Sequence, residues 1–217
     1  MSFRRNPHLK ASRRAALAVG MAFSASILNP FIGLPPAAAG DLPRAMLFEE
    51  DANDRNGKRL DGVALWTLQA GSAGPEVRAS VAIAERQMVF KWTLQSNQDR
   101  TLPASHTIDM TFDLPSDFQH GGVQRVHGVL MKTAEAARGT PLRGQVVKIT
   151  TGHFLLGLSN VVADRDANMQ LLRERDWLDV AILYDDTRRA ILAFEKGTAG
   201  KRILNDAFAA WATKSRP

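Results

Sequence analysis

Four histidines, His106, His120, His127 and His153, are the side chains of this 217-residue chain best suited to proton transfer or metal binding. No two of them share a local spacing that puts both imidazoles on one face at metal distance, and the stretch from His120 to His127 is interrupted by Gly121-Gly122. A site made of these histidines must therefore assemble across strands; the alternative is four scattered or internally satisfied side chains. Ser105, His106 and Asp109 are the residue types of a hydrolase triad. Neighbours on a strand point to opposite faces, however, so these three cannot form a hydrogen-bonded line. No Gly-x-Ser-x-Gly elbow occurs, and Ser159, in Gly157-Leu158-Ser159-Asn160, lacks the second glycine.

Asp51, Asn53, Asp54 and Asn56 crowd together before Gly57 in the manner of a calcium loop, yet Arg55 and Gly62 stand where such a loop needs an oxygen ligand and a glutamate. A polar hairpin tip is the simpler account. The carboxylates of Glu49-Glu50 and Asp185-Asp186 are sequence neighbours and are expected to diverge into solvent, whereas a glycosidase needs two acids facing across a cleft. Gly139 to Gly144 lacks the Lys-Ser/Thr of a phosphate loop. Trp66, Trp92, Trp177 and Trp211 suit either a carbohydrate or peptide groove or the core, and core packing is the commoner fate. No catalytic residue, cofactor-binding residue or metal ligand is assigned on this basis, and no cofactor is expected.

The elements that would have to position such groups are mostly strands. Val77, Ala79, Val81 and Ile83 alternate cleanly, as do Met88, Phe90, Trp92 and Leu94 after the Glu85-Arg86 turn, which predicts a hairpin. Arg78, Ser80, Val89, Lys91 and Thr93 then fall on its other face. Ile108, Met110, Phe112 and Leu114 repeat the pattern. Further strands are expected at 45–50, from Val63 and Leu65 to Trp66 or Leu68, and at 122–132, 145–150, 153–158, 179–184 and 188–195. Asn56-Gly57 supplies the positive torsions of a tight connection. Asp164 is expected to cap a helix over 164–176. Ile203, Leu204, Ala207, Phe208 and Trp211 form the apolar stripe of a second helix that docks on the sheet. The predicted fold is mainly β with two helices: an antiparallel β-sandwich or open barrel, its carboxyl-terminal helix packed on the sheet.

Residues 1–39 read as a signal peptide and 40–217 as a single β-rich domain. Arg4, Arg5, Lys10, Arg13 and Arg14 form a basic head, Ala15 to Leu34 is almost wholly apolar, and Ala37 and Ala39 suit cleavage after Ala39. An uncleaved membrane anchor is the rival, because about 20 apolar residues span a bilayer. Ser12-Arg13-Arg14 with Leu17 also resembles a twin-arginine signal. The five cations of the head belong to the 28 basic residues of a chain with net charge +6, so 23 remain against 22 acidic residues. A near-neutral domain gives no push toward nucleic acid, and contact with membrane is expected only through an uncleaved leader. With no cysteine there is no disulfide, thiol nucleophile or thiolate metal site.

In Gly128-Val-Leu-Met-Lys132, Gly157-Leu-Ser-Asn160, Asn168-Met-Gln-Leu-Leu-Arg-Glu-Arg175 and Arg188-Arg-Ala-Ile-Leu-Ala-Phe-Glu-Lys-Gly-Thr198, the chain resembles an uncharacterised family of alphaproteobacterial exported proteins. The resemblance covers most of Arg44 to Trp211. It implies a module that also occurs behind membrane-attached regions, which suits binding or scaffolding and carries over no catalytic residue. A fainter similarity, in the order helix, strand, turn, strand, terminal helix near 164–213, is to the invasion-associated locus B family, whose cysteine pair is absent here. Three functions are therefore expected to compete. One is a non-catalytic periplasmic or secreted domain recognising an envelope protein or ligand. The second is an envelope hydrolase assembled from dispersed histidines and a distant carboxylate, and the third an inner-membrane-tethered interaction module.

Overall fold

The computed structural model describes residues 42–214, so the signal-peptide reading of 1–39 lies outside the described residues. Eleven strands form one antiparallel sheet: β1 (Arg44–Glu49), β2 (Lys58–Gly71), β3 (Gly74–Ile83), β4 (Met88–Ser96), β5 (Ala104–Asp113), β6 (Val123–Lys132), β7 (Thr140–Pro141), β8 (Gly144–Thr150), β9 (His153–Ser159), β10 (Trp177–Tyr184) and β11 (Arg189–Glu195). Helix α1 (Val162–Glu174) joins β9 to β10, and α2 (Gly197–Lys214) ends the described chain. The strand order is β7-β6-β10-β11-β1-β2-β3-β4-β5-β9-β8. β7 and β8 thus sit at opposite edges, yet only Leu142 and Arg143 separate them in sequence. Two residues reach roughly 10 Å at full extension. The sheet must therefore curl until its edges meet, and the result is an open barrel. Lys148 Nζ spans the seam, donating to the carbonyls of Val123 and Gln124 at 3.1 and 3.3 Å.

Alternation decides which face each strand buries. Val77, Ala79, Val81 and Ile83 on β3 and Met88, Phe90, Trp92 and Leu94 on β4 all point inward, as the pattern predicts. β2 is a different case: Leu60, Ala64 and Trp66 are buried, whereas Val63 and Leu65 take the outer phase and Leu68 is exposed. Its inward side is set by pairing with β1, Leu47 opposite Leu60, because Leu47 is already committed to the core. Gly57 turns the β1–β2 connection at φ +70°, as Asn56-Gly57 foretold.

Ile203, Leu204, Ala207, Phe208 and Trp211 carry α2 onto the sheet, where Trp211 Nε1 donates to the Pro75 carbonyl at 3.1 Å. Trp66 Nε1 likewise donates to Glu195 O at 3.0 Å. The predicted cap of α1 is corrected: Val161 occupies that position, and Asp164 lies in the first turn, accepting bonds from Ser159 Oγ and Arg143 Nη1. An acid there still complements the helix dipole. Asn168, buried in the middle of α1, accepts from Arg143 N at 2.7 Å and donates to Arg143 O at 2.8 Å, tying the helix to the β7–β8 link. No helix among the described residues is long and apolar enough to cross a membrane.

Candidate functional site

The histidines do not converge. His153 Nε2 lies 2.7 Å from Asp109 Oδ2 on the partly exposed surface of β5 and β9. His106 rests against the Trp211 ring at 5.0 Å with its Nδ1 buried and unbonded among the described residues. Burial, and then the charge of Arg165, hold its pKa down at about 4. Ser105 Oγ donates to the Leu158 and Ser159 carbonyls, so the triad types at 105, 106 and 109 serve three separate purposes. No group of three or more His, Asp or Glu among the described residues is arranged to hold a metal ion.

His120 and His127 belong to two adjoining hollows at the end of the barrel where the β1–β2 and β10–β11 turns lie. Glu49, Glu50, Asp51 and Arg188 are common to both. The smaller hollow, about 290 Å³, is polar and is lined by Lys58, Arg86, Gln119 and His120 among others. At its base Glu49 is almost fully buried, 2.5 Å from Arg86 Nη2, and accepts the Tyr184 hydroxyl at 3.0 Å. His120 stacks on Tyr184 with ring centres 4.7 Å apart, and its Nδ1 is 2.8 Å from Asp186 Oδ2. Its Nε2 faces the Gln119 side-chain nitrogen at 2.6 Å and Glu49 at 3.7 Å. These contacts fit the tautomer with the proton on Nδ1 and Nε2 accepting from Gln119. Burial pushes the Tyr184 phenol up, and Glu49 adds to that; the guanidinium of Arg86 is stabilised by its bonds to Glu49. Burial raises the Asp186 carboxyl, but the bonds from His120 and the Arg188 backbone, with the charges of both residues, together bring the net shift downward. No hydroxyl nucleophile is bonded to His120 among the described residues. The arrangement is a satisfied polar plug over the core.

The larger hollow, about 700 Å³, is a trough on the outer face. Its floor follows from register. Phe48 on β1 pairs with Ile191 on β11, Ile191 with Ala181 on β10, and Ala181 with Gly128 on β6. Side chains in this row shrink from phenylalanine to none. A bulge at Ala181/Ile182 leaves His127 as the extra residue of β6, exposed at the side of the trough. Gly128 sits at φ +155°, which disfavours a side chain, and a Cβ there would meet nothing within 4 Å. Ile191 is 42% exposed at the centre of the floor.

The β1–β2 loop, from Glu50 to Gly57, walls this row. Glu50 is tied to Arg189 by an ion pair that lowers its carboxyl below the usual range. Asp51 and Asp54 accept the backbone N–H of Asn53 and Asn56, which holds the loop in tight turns. Outside the trough lining, the segment after β6 is fastened across the outer sheet by Glu135, which faces Arg59 at 3.1 Å and Arg44 at 3.7 Å. Under it lies a second apolar patch of Met46, Trp177, Ala193 and Phe48, with Arg44 over the Trp177 ring. All four tryptophans are therefore packed, and none faces the trough.

Two buried cations complete the inventory. Lys132 Nζ lies 2.8 Å from Asp179 Oδ1 but off the hydrogen-bonding angle, and donates to Glu135 O; burial raises the Asp179 carboxyl. Lys196 donates to the Leu172 carbonyl in the last turn of α1, and burial lowers its pKa to about 8. Both positions anchor connections. The trough itself was absent from the residue pattern, because its floor is built from four strands brought together by long-range pairing. Comparison with protein-family models, curated proteins and solved structures finds no match.

Proposed function

We propose that the chain is an exported, non-catalytic recognition domain of the periplasm or the exterior, and that its ligand, an envelope protein or a smaller molecule, seats in the outer trough. The observation that carries this reading is the trough: about 700 Å³ of open space with an apolar floor, a charged loop wall and an exposed isoleucine at its centre. A cavity of that size and polarity is what ligand sites commonly offer. The basic head, apolar run and Ala-Ala-Ala stretch of 1–39 support export, as does the resemblance to exported alphaproteobacterial proteins.

Affinity capture tests the reading. The tagged protein and its Ala181→Trp variant are each used as bait in the envelope fraction of the host. A species retained by the parent and lost by the variant supports the trough; identical recovery by both contradicts it. Amino-terminal sequencing of the exported protein addresses the leader, for which a start at Gly40 is expected and an intact leader would favour a membrane-tethered module.

A hydrolytic reading has one observation in its favour, the His120–Asp186 pair beside Glu49 in the polar hollow. Gln119 covers the ring nitrogen that would have to activate water. An envelope hydrolase would lose turnover in His120→Gln and keep it in Ala181→Trp, the reverse of the pattern expected for ligand recognition.

A further inference from the structure

The trough and the polar hollow beside it differ in chemistry but share a border. The floor of the trough is the apolar row of Phe48, Ile191 and Ala181, ending above Gly128, where a Cβ would meet nothing within 4 Å. The hollow is lined by charged, amide and imidazole side chains, and Glu49, Glu50, Asp51 and Arg188 lie on both. Two of these four are already engaged, Glu49 by Arg86 and Tyr184 and Glu50 by Arg189. The other two keep bonding capacity. Asp51 accepts one backbone N–H, from Asn53, and has no ion pair among the described residues. The Arg188 guanidinium stands 3.5 Å from Asp186 and donates no hydrogen bond among the described residues. Lys58, inside the hollow, has only an exposed ion pair with Glu85 at 3.7 Å.

Charge of both signs with spare bonding capacity therefore stands at one side of an apolar floor, on the border of a polar hollow. A purely anionic head would bring a like charge to Asp51, and an ammonium alone would bring one to Arg188 and Lys58. A head that carries both signs meets all three with opposite charge. Toward β6 the lining offers only His127, so the far end of the occupant needs no second charged group. We propose that the two hollows together take a single-chain zwitterionic phospholipid of the lysophosphatidylethanolamine class. Its phosphate lies toward Arg188 and Lys58, its ammonium toward Asp51, and its acyl chain on the row from Ile191 to Ala181 and Gly128. This rests on the trough reading of the preceding section and assigns it a ligand class. The guanidinium fork of Arg188 matches a phosphate in shape as well as charge. From β1 to β6 the row runs three inter-strand steps, roughly 14 Å, which one extended acyl chain covers.

Titration calorimetry on the purified protein decides it, with each probe held below the concentration at which it aggregates. The probes are dodecanoyl lysophosphatidylethanolamine, dodecyl phosphate, dodecylammonium chloride and the tail-free head glycerophosphoethanolamine. The lysolipid is expected to bind one per chain, and loss of either half of the head, or of the tail, to weaken binding about tenfold or more. Asp51→Asn should remove the advantage of the lysolipid over dodecyl phosphate, while the asparagine carbonyl keeps the turn at Asn53. Arg188→Gln with Lys58→Gln should remove its advantage over dodecylammonium. Ala181→Trp should abolish binding without lowering the melting temperature, which separates a filled trough from a misfolded protein. Absence of lysolipid binding would overturn the inference, as would equal binding of the three alkyl probes or undiminished binding by the Ala181→Trp variant. The envelope capture scores any species held in the trough, so failure of the lysolipid and failure of the recognition reading are told apart.

Discussion

Glu49 and Glu50 are neighbours, as are Leu192 and Ile191, and in each pair one side chain enters the barrel while the other faces the trough. On the inner face Glu49 is shut in with Arg86 and Tyr184, and Leu192 is fully buried. On the outer face Glu50 meets Arg189 in water, and Ile191 stands 42% exposed in the apolar row. The same strands thus carry one face committed to stability and another whose apolar surface adds little to it. That contrast separates the residues that hold the fold from those free to hold a ligand.

Substitution within the neighbouring acids should break the comparison most sharply. Glu49→Gln leaves the Arg86 charge uncompensated and is expected to cost about 3–5 kcal/mol in urea unfolding, since breaking one half of a buried pair strands the other. Glu50→Gln should leave the unfolding midpoint where it is. Similar losses for both would mean that the inner and outer faces are not distinct.

The apolar neighbours give the next largest effect. Leu192→Ala should destabilise by about 2–5 kcal/mol through lost burial and a residual cavity, and Ile191→Ala by less than about 1 kcal/mol. A large loss at Ile191 would show that the outer row is core.

Acid sharpens the picture for the inner face. His106 is held neutral, with a folded pKa of about 4 against an ordinary 6.5, so the unfolded chain takes up its proton first as the pH falls. Its contribution is fully present above pH 6.5, declines on acidification and is lost below pH 4, a change of about 3 kcal/mol at most. His106→Phe should flatten that part of the stability–pH curve while keeping contact with Trp211. Unchanged acid sensitivity in the variant would assign the proton uptake elsewhere.

Much of the fold was legible because its signals are local. Strict alternation in β3 and β4 and the stripe of α2 each name their buried side chains without outside help. β2 misled because Val63 and Leu65 are as apolar as Leu60 and Trp66, and only the pairing with β1 decides between the phases. Asp164 has the chemistry of a cap, but Ser159 and Arg143 draw its carboxylate into the first turn. The acids at 49 and 50 were expected to diverge into solvent; alternation sent one of them inward to Arg86, whose place in the β3–β4 turn is distant in sequence. The trough was illegible for the same reason: Phe48, Ile191, Ala181 and Gly128 become one surface only once β1, β11, β10 and β6 are laid side by side.

Methyl resonances offer the most direct test of that surface. In protein labelled at alanine, isoleucine, leucine and valine methyls, titration with the species captured from the envelope fraction should shift Ala181 and Ile191 while Leu192 and Val180, on the inner face of the same strands, stay in place. Movement confined to the inner methyls, or to residues far from the trough, would contradict the assignment of recognition to the outer face.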